Sequence, residues 1–258
     1  MKVGLFQFAM TDHPIENITR IRAAVIEAAQ QGVELLLLPE CALTGYPKAD
    51  PHTIKTISFQ EVEHALVDLE WLAIEYALCI VAGTAEFLEG KYYNSAVQAA
   101  TGQKAHVIYR KRALWGWDAD NFSPGEIEDG VFEIDGFRIG VRICFEVRFP
   151  EYFRELYRKK VDCAVVLFCD TLEEDSTERY DLIQSHLRTR AVENIVPVVS
   201  VNSAGVYQTA PTAVIDPDGD VVSELPRHAE QLLIYELKKP IEDSFGARGR
   251  RSISDRLT

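Results

Sequence analysis

Three residues of reactive type stand directly after stretches that read as strands. Glu40 follows the apolar run VELLLLP, Lys111 closes AHVIYRK, and Cys144 closes FRIGVRI. Open α/β sheets gather ligands at the carboxyl ends of their strands. A glutamate, a lysine and a cysteine meeting there form a coherent chemical set. The carboxylate can take the thiol proton, the ammonium can stabilise a developing oxyanion, and the thiolate can attack a carbonyl or nitrile carbon. A thiolate activated in this way is expected to react rapidly with iodoacetamide.

The stretch Phe137–Glu151, FRIGVRICFEVRFPE, carries the sharpest signal. Phe137, Ile139, Val141 and Ile143 alternate with Arg138, Gly140 and Arg142, the period-2 pattern of a strand. Pro150 then suits the first turn of a helix, which Phe153, Leu156 and Tyr157 continue. Cys144 therefore lies at a strand-to-helix break, where backbone N–H groups are free. The N–H of Phe145 is the natural second oxyanion donor.

The elements that must position these residues follow in order. Lys2–Ala9 reads as a strand. Ile15, Ile18, Ile21, Val25, Ala28 and Ala29 mark an amphipathic helix ending near Gly32. Val33–Leu38 does not alternate, which implies a strand buried on both faces. Pro39 ends it, and Glu40 opens the turn-rich ECALTGYP, in which Tyr46 is a candidate pocket residue. A second helix spans Val62 to Tyr76, followed by an apolar strand at Cys79–Gly83. Tyr92–Ala100 and Ala105–Lys111 read as one hairpin, and Val131–Ile134 with Phe137–Ile143 as another around Asp135-Gly136. Between them, RALWGWDADNFSPGE has no periodicity and reads as a long functional loop, with Trp115 and Trp117 as pocket candidates. After the strand Asp162–Phe168, Asp170–Asp181 reads as an acidic loop entering a helix that ends near Asn194. Strands at Ile195–Val201, Pro211–Ile215, Val221–Glu224 and Gln231–Leu237 complete the pattern.

The composition narrows the class. The chain has 258 residues, 47% hydrophobic, enough for one large core. A formal charge of −13 argues against nucleic-acid or anionic-membrane partners, which need a basic face. The five cysteines, Cys41, Cys79, Cys144, Cys163 and Cys169, are odd in number and irregular in spacing, so no disulfide framework is expected. No C-x-x-C pair, glycine-rich dinucleotide motif or P-loop is present. The N-terminus lacks the layout of a signal peptide and no apolar run has spanning length, so a cytoplasmic enzyme is the natural inference. Residues 238–258 are net basic and poor in apolar residues. They form a tail outside the 1–237 unit, disordered or packed on something else, such as a partner subunit.

Around the three residues the chain resembles the nitrilase, or carbon–nitrogen hydrolase, superfamily. The resemblance rests on LLLLPECALTGYP, on YRKRAL followed by F-S-P-G, and on GVRICFEVRFPE. It continues through LRTRAVENIVPVVSVNSAG and VIDPDGDV, in the family's order, to about residue 237. It implies a single-domain four-layer α-β-β-α sandwich of mixed sheets, usually paired as a homodimer through a helical face. It also implies Glu40 as general base, Lys111 as oxyanion partner and Cys144 as nucleophile of a thioester pathway, with no metal or cofactor. C-F-E-V-R-F-P-E looks most like the amidase branches, including omega-amidase-type members, so a small linear amide is the expected substrate. A nitrile or N-carbamoyl substrate is the alternative within the class. Outside it stand a catalytically silent interaction protein and an acyltransferase of the same fold. The family's second glutamate, before the phenylalanine of F-x-P-G, is here matched by Asp118, one methylene shorter. The family's aromatic segment near 170 is here the acidic run Asp170, Glu173, Glu174 and Asp175. If that run borders the cleft, it disfavours anionic substrates.

Each residue also has a plain structural reading. Cysteines are usually buried packing residues, and Lys111 lies within a basic triplet that suits an exposed face. Cys41 is a rival thiol beside Glu40. Glu146 and Arg148 are candidates for the pocket or for a structural role near the site; the plain alternative is a surface ion pair. Only the combination of Glu40, Lys111 and Cys144 lifts any of them above the ordinary.

Overall fold

The computed structural model describes residues 1–47, 53–126, 129–239 and 242–257. The chain runs β1 (Lys2–Gln7), α1 (Pro14–Gln30), β2 (Leu35–Leu37), α2 (Thr53–Thr56), α3 (Phe59–Glu75), β3 (Cys79–Leu88), β4 (Lys91–Ala100) and β5 (Gln103–Arg110). Then come α4 (Trp117–Asn121), β6 (Val131–Ile134), β7 (Phe137–Ile143), α5 (Pro150–Arg158), β8 (Cys163–Leu167), α6 (Thr177–Asn194) and β9 (Val198–Val201). The last elements are β10 (Ala213–Ile215), β11 (Val221–Glu224), β12 (Gln231–Glu236) and α7 (Phe245–Leu257).

The strands form two six-stranded sheets, ordered β12-β1-β2-β3-β4-β5 and β11-β10-β9-β8-β7-β6. Each has a parallel centre, β1-β2-β3 or β7-β8-β9, with antiparallel strands outside it. The sheets pack face to face. Val3, Leu5, Leu35, Leu37 and Val81 meet Val141, Ile143, Val165, Leu167 and Val201 between them. On the outer face of the first sheet, Leu36, Leu38 and Ile80 pack against Ile18, Ile21 and Val25 of α1 and Leu69 and Leu72 of α3. On the outer face of the second, Ala164, Val166 and Val198 pack against Phe153 and Leu156 of α5 and Ile183 and Leu187 of α6. The result is the four-layer α-β-β-α sandwich. It also explains why Leu35–Leu38 shows no alternation: odd positions face the other sheet and even positions face helices. Each such aliphatic side chain contributes about 1.5–3 kcal/mol relative to exposure.

Four local expectations change. Ile15, placed on the apolar stripe of α1, is exposed, because the first turn buries Pro14, Asn17 and Ile18 instead. The loop after Lys111 contains α4, a single turn too short to show a period. The acidic segment is partly buried, as described below. The net-basic tail, of which residues 240, 241 and 258 lie outside the described residues, includes α7 docked on its own chain. Tyr157 Oη donates to Asp255 at 2.6 Å, and Ala247 packs with Tyr157 and Ile195. No helix among the described residues is long and apolar enough to cross a membrane.

Candidate active site

The three singled-out side chains converge from both sheets. Glu40 sits in the turn after β2, Lys111 directly follows β5, and Cys144 directly follows β7. Glu40 is fully buried and Lys111 nearly so. Lys111 Nζ donates to Glu40 Oε1 at 2.8 Å and also to Asp118 Oδ2. Asn94 Nδ2, from β4, donates to Glu40 Oε1 at 2.7 Å, and the backbone N–H of Cys169 donates to Oε2 at 2.8 Å. Tyr46 Oη donates to the other Asp118 oxygen at 2.6 Å. Glu40 and Asp118 thus flank one ammonium, with Tyr46 holding Asp118. Asp118 reaches it because α4 puts Asp118 in a buried first turn.

Backbone geometry makes this convergence possible. Glu40 N–H donates to Phe168 O at 3.2 Å, which joins the loop after β2 to the end of β8. The turn of Glu40 crosses β3 at Gly83. A Cβ there would lie 2.4–2.5 Å from Cys41 N, Pro39 O and Glu40 Cα, so only glycine fits. On the other side, Gly125 N–H donates to Lys111 O at 2.9 Å, and a Cβ on Gly125 would strike Arg110 O at 2.4 Å. The glycine of S-P-G is therefore what lets the loop close over the lysine. Cys144 has φ +46°, a left-handed conformation unfavourable for a residue with a Cβ. It begins a 3₁₀ turn, Cys144–Arg148, whose leading N–H groups, Phe145 among them, have no partner within the turn. The sulfur is thereby turned out of the strand.

Electrostatics set the protonation states. Burial raises the Glu40 pKa above its ordinary 4.5, with Lys111 pulling against it and Asp118 adding to it. Burial opposes the charge on Lys111, yet Glu40, Cys144 and Asp118 outweigh it, and its pKa lies well above 10.5. Loss of hydration and the nearby Glu40 push the Cys144 thiol well above 9.0, against the pull of Lys111. The resting thiol is therefore neutral. Such a thiol needs a base at the moment of attack, the role expected of Glu40. Cys41 and Cys169 flank Glu40, and burial raises both. Cys41 is fully buried and packs in the core, so it is not a rival at the surface of the cleft.

Other candidates are placed differently. Trp115 is 75% exposed and Trp117 39% exposed, at the surface rather than in the buried cluster. Glu146 is not a pocket wall. It is fully buried, and its carboxylate accepts from Tyr109 Oη, Arg112 N and Ile143 N. Arg148 forms no ion pair with it; its guanidinium lies over the Phe145 ring, 5.6 Å from the centroid. Arg190 braces the 3₁₀ turn by donating to Val147 O and Arg148 O at 2.8 and 3.1 Å. Asp170 is no solvated acid. Arg179 grips it at 2.9 and 3.0 Å and Thr209 Oγ1 donates to it at 2.5 Å, while Asp175 pairs with Arg227. Arg179 thus offsets the one buried acid of the run, while Glu173, Glu174 and Asp175 are exposed. Sequence reasoning missed Asn94 and the Cys169 N–H. Asn94 carried a usable signal, an amide in mid-strand where asparagine is disfavoured. Cys169 carried none, since its contribution is main-chain.

This architecture, with its reactive side chains at strand ends, is that of the nitrilase superfamily. The chain belongs to the carbon–nitrogen hydrolase family, whose family model matches residues 2–242. It is 27% identical over 240 residues to omega-amidase NIT2 of Xenopus tropicalis, covering 86% of this chain and 83% of that one. It is 30% identical over 217 residues to 2-oxoglutaramate amidase of Bacillus subtilis, covering 82% and 80%. The fold superposes on the NitN amidase of Nesterenkonia sp. AN1 with a TM-score of 0.82 at 24% identity, covering 100% and 99%. A mutant of that Nesterenkonia amidase carries acrylamide added to its active-site cysteine, with a TM-score of 0.81 at 24% identity, covering 100% and 99%.

Proposed function

We propose that the protein is a cysteine-dependent amidohydrolase that converts a small linear amide into a carboxylic acid and ammonia. The observation that carries this reading is the buried set of Glu40, Lys111 and Asp118 beside a neutral Cys144 thiol on a strained turn. Glu40 takes the Sγ proton as the sulfur bonds to the amide carbon. The carbonyl oxygen becomes an oxyanion, held by Lys111 Nζ and the Phe145 N–H. The C–N bond breaks as Glu40 returns the proton to nitrogen, and ammonia leaves a thioester on Cys144. Water, deprotonated by Glu40, attacks the thioester, and the acid departs as the proton returns to sulfur. Asp118, itself held by Tyr46, keeps the lysine in place and charged.

The amide preference draws support from the omega-amidase and 2-oxoglutaramate amidase relatives, and the use of cysteine from the acrylamide adduct of the Nesterenkonia enzyme. We further propose residues 1–237 as the catalytic unit and a homodimer through a helical face, which sedimentation would check. Purified protein is expected to release ammonia from members of a panel of amides, carbamoyl compounds and nitriles, and to lose that activity in Cys144→Ala. Turnover confined to nitriles or carbamoyl compounds would replace the amide reading, and release of no ammonia at all would sink it. Competing amines added to the assay separate hydrolysis from acyl transfer.

A further inference from the structure

Lys111 and Cys144 belong to opposite sheets, yet an oxyanion must reach both. One side chain spans the gap. Glu146, two residues after the thiol, turns its carboxylate back under the site and is completely buried. Its Oε2 accepts the N–H of Ile143 at 2.9 Å, the residue that precedes Cys144. Its Oε1 accepts the N–H of Arg112 at 2.8 Å, in the peptide that leaves Lys111, and Ala113 N–H lies at 3.4 Å. Tyr109, the second residue before Lys111, adds its hydroxyl to Oε1 at 2.6 Å. Arg112 Nε donates to that same hydroxyl at 3.2 Å, so the phenolic hydrogen is left for Glu146.

We propose that Glu146 is a positioning residue that sets the spacing between the nucleophile and the oxyanion lysine, by tying the backbone beside Cys144 to the backbone beside Lys111. This rests on the amidohydrolase reading above. All the partners of Glu146 are donors, and both its oxygens are engaged and completely buried, so no face of it is open to substrate. It touches no reacting atom and acts through Ile143 and Arg112. The need for it follows from the strain at Cys144. A residue with φ +46° holds that conformation only if its surroundings over-determine it. Glu146 pins the strand side of the turn, and Arg190 pins its far side through the Val147 and Arg148 carbonyls.

Glu146→Gln tests this. The amide keeps the shape but replaces one oxygen with an NH2, which opposes an N–H or O–H donor whichever way it faces. The measurement is kcat per Cys144 titrated as acyl-enzyme, with KM and the rate of acrylamide addition to Cys144. Displacement of the thiol from the lysine predicts a fall in kcat per site of about 10²-fold with KM little changed, and slower acrylamide addition. A merely structural role predicts fewer titratable sites, each with wild-type kcat, and that result overturns the proposal. If Glu146→Gln does not fold, Tyr109→Phe decides. It removes one donor, leaves the carboxylate, and should give a smaller fall in kcat per site with unchanged KM; an unchanged kcat overturns the proposal equally. Failure of the wild-type protein to hydrolyse any amide would count against the functional reading instead, so the two failures are distinct.

Discussion

Lys111 and Glu40, 71 residues apart in the chain, meet at 2.8 Å with both side chains out of contact with water. Asp118 is the ammonium's second carboxylate partner, so one cation answers two buried anions. A buried charge is tolerated only when paired and hydrogen-bonded, and each member here depends on the others.

Removing the cation should therefore damage the fold as well as the chemistry. In Lys111→Met, Glu40 and Asp118 remain buried without a counter-charge. The expected loss of stability is about 3–5 kcal/mol, read from denaturant unfolding, together with loss of ammonia release. A Lys111→Met protein that unfolds at the wild-type denaturant concentration would show that the pair is not buried as described.

The pH dependence follows from Glu40. Its pKa is raised by burial above 4.5, and it works as a base only when ionised. As pH falls through that raised value the carboxylate is protonated and kcat/KM drops, so the acid limb lies above the ordinary glutamate range. Lys111 keeps its charge, since its pKa lies well above 10.5. The same limb should be absent from whatever activity Glu40→Gln retains. An acid limb at or below 4.5 would contradict the raised value.

The turn at Cys144 stores strain that glycine would relieve. Cys144→Gly and Cys144→Ala should both be inactive, but the glycine variant should be the more stable of the two, by about 1 kcal/mol. Thermal unfolding of the pair measures this directly. Equal midpoints, or a more stable alanine variant, would mean that the left-handed turn is not retained.

Gly83 is a remote position with a direct effect on the base. An added Cβ would meet backbone atoms of Pro39, Glu40 and Cys41, none of which can swing aside. Gly83→Ala should destabilise by about 1–3 kcal/mol, and the displaced Glu40 should lower kcat. Wild-type kcat with wild-type stability would show that the turn can move freely.

Much of this was legible before folding. The alternation in Phe137–Ile143 marks a strand and the unbroken run at Leu35–Leu38 a doubly buried one, and both hairpins follow from their turn residues; that Gly140 and Arg142 of the alternating strand are buried as well was not legible. Glu40, Lys111 and Cys144 stand out because each ends a strand. Other features were not legible. α4 is too short for a periodic signal, yet it carries Asp118. Asp170 reads as one more acid of a solvated run because Arg179 and Thr209 reach it only through folding.

The amino-acid sequence by itself determined the order of elements, the layered class and the identity of the reactive side chains, because periodicity and residue type are local properties. Only the tertiary structure decided their states. The thiol is neutral, the glutamate raised and the lysine held charged because burial and neighbours from distant strands act on them. The same holds for Glu146. In sequence it is an acid two residues past a cysteine; in the fold, four donors around one buried carboxylate make it a link between the two sheets.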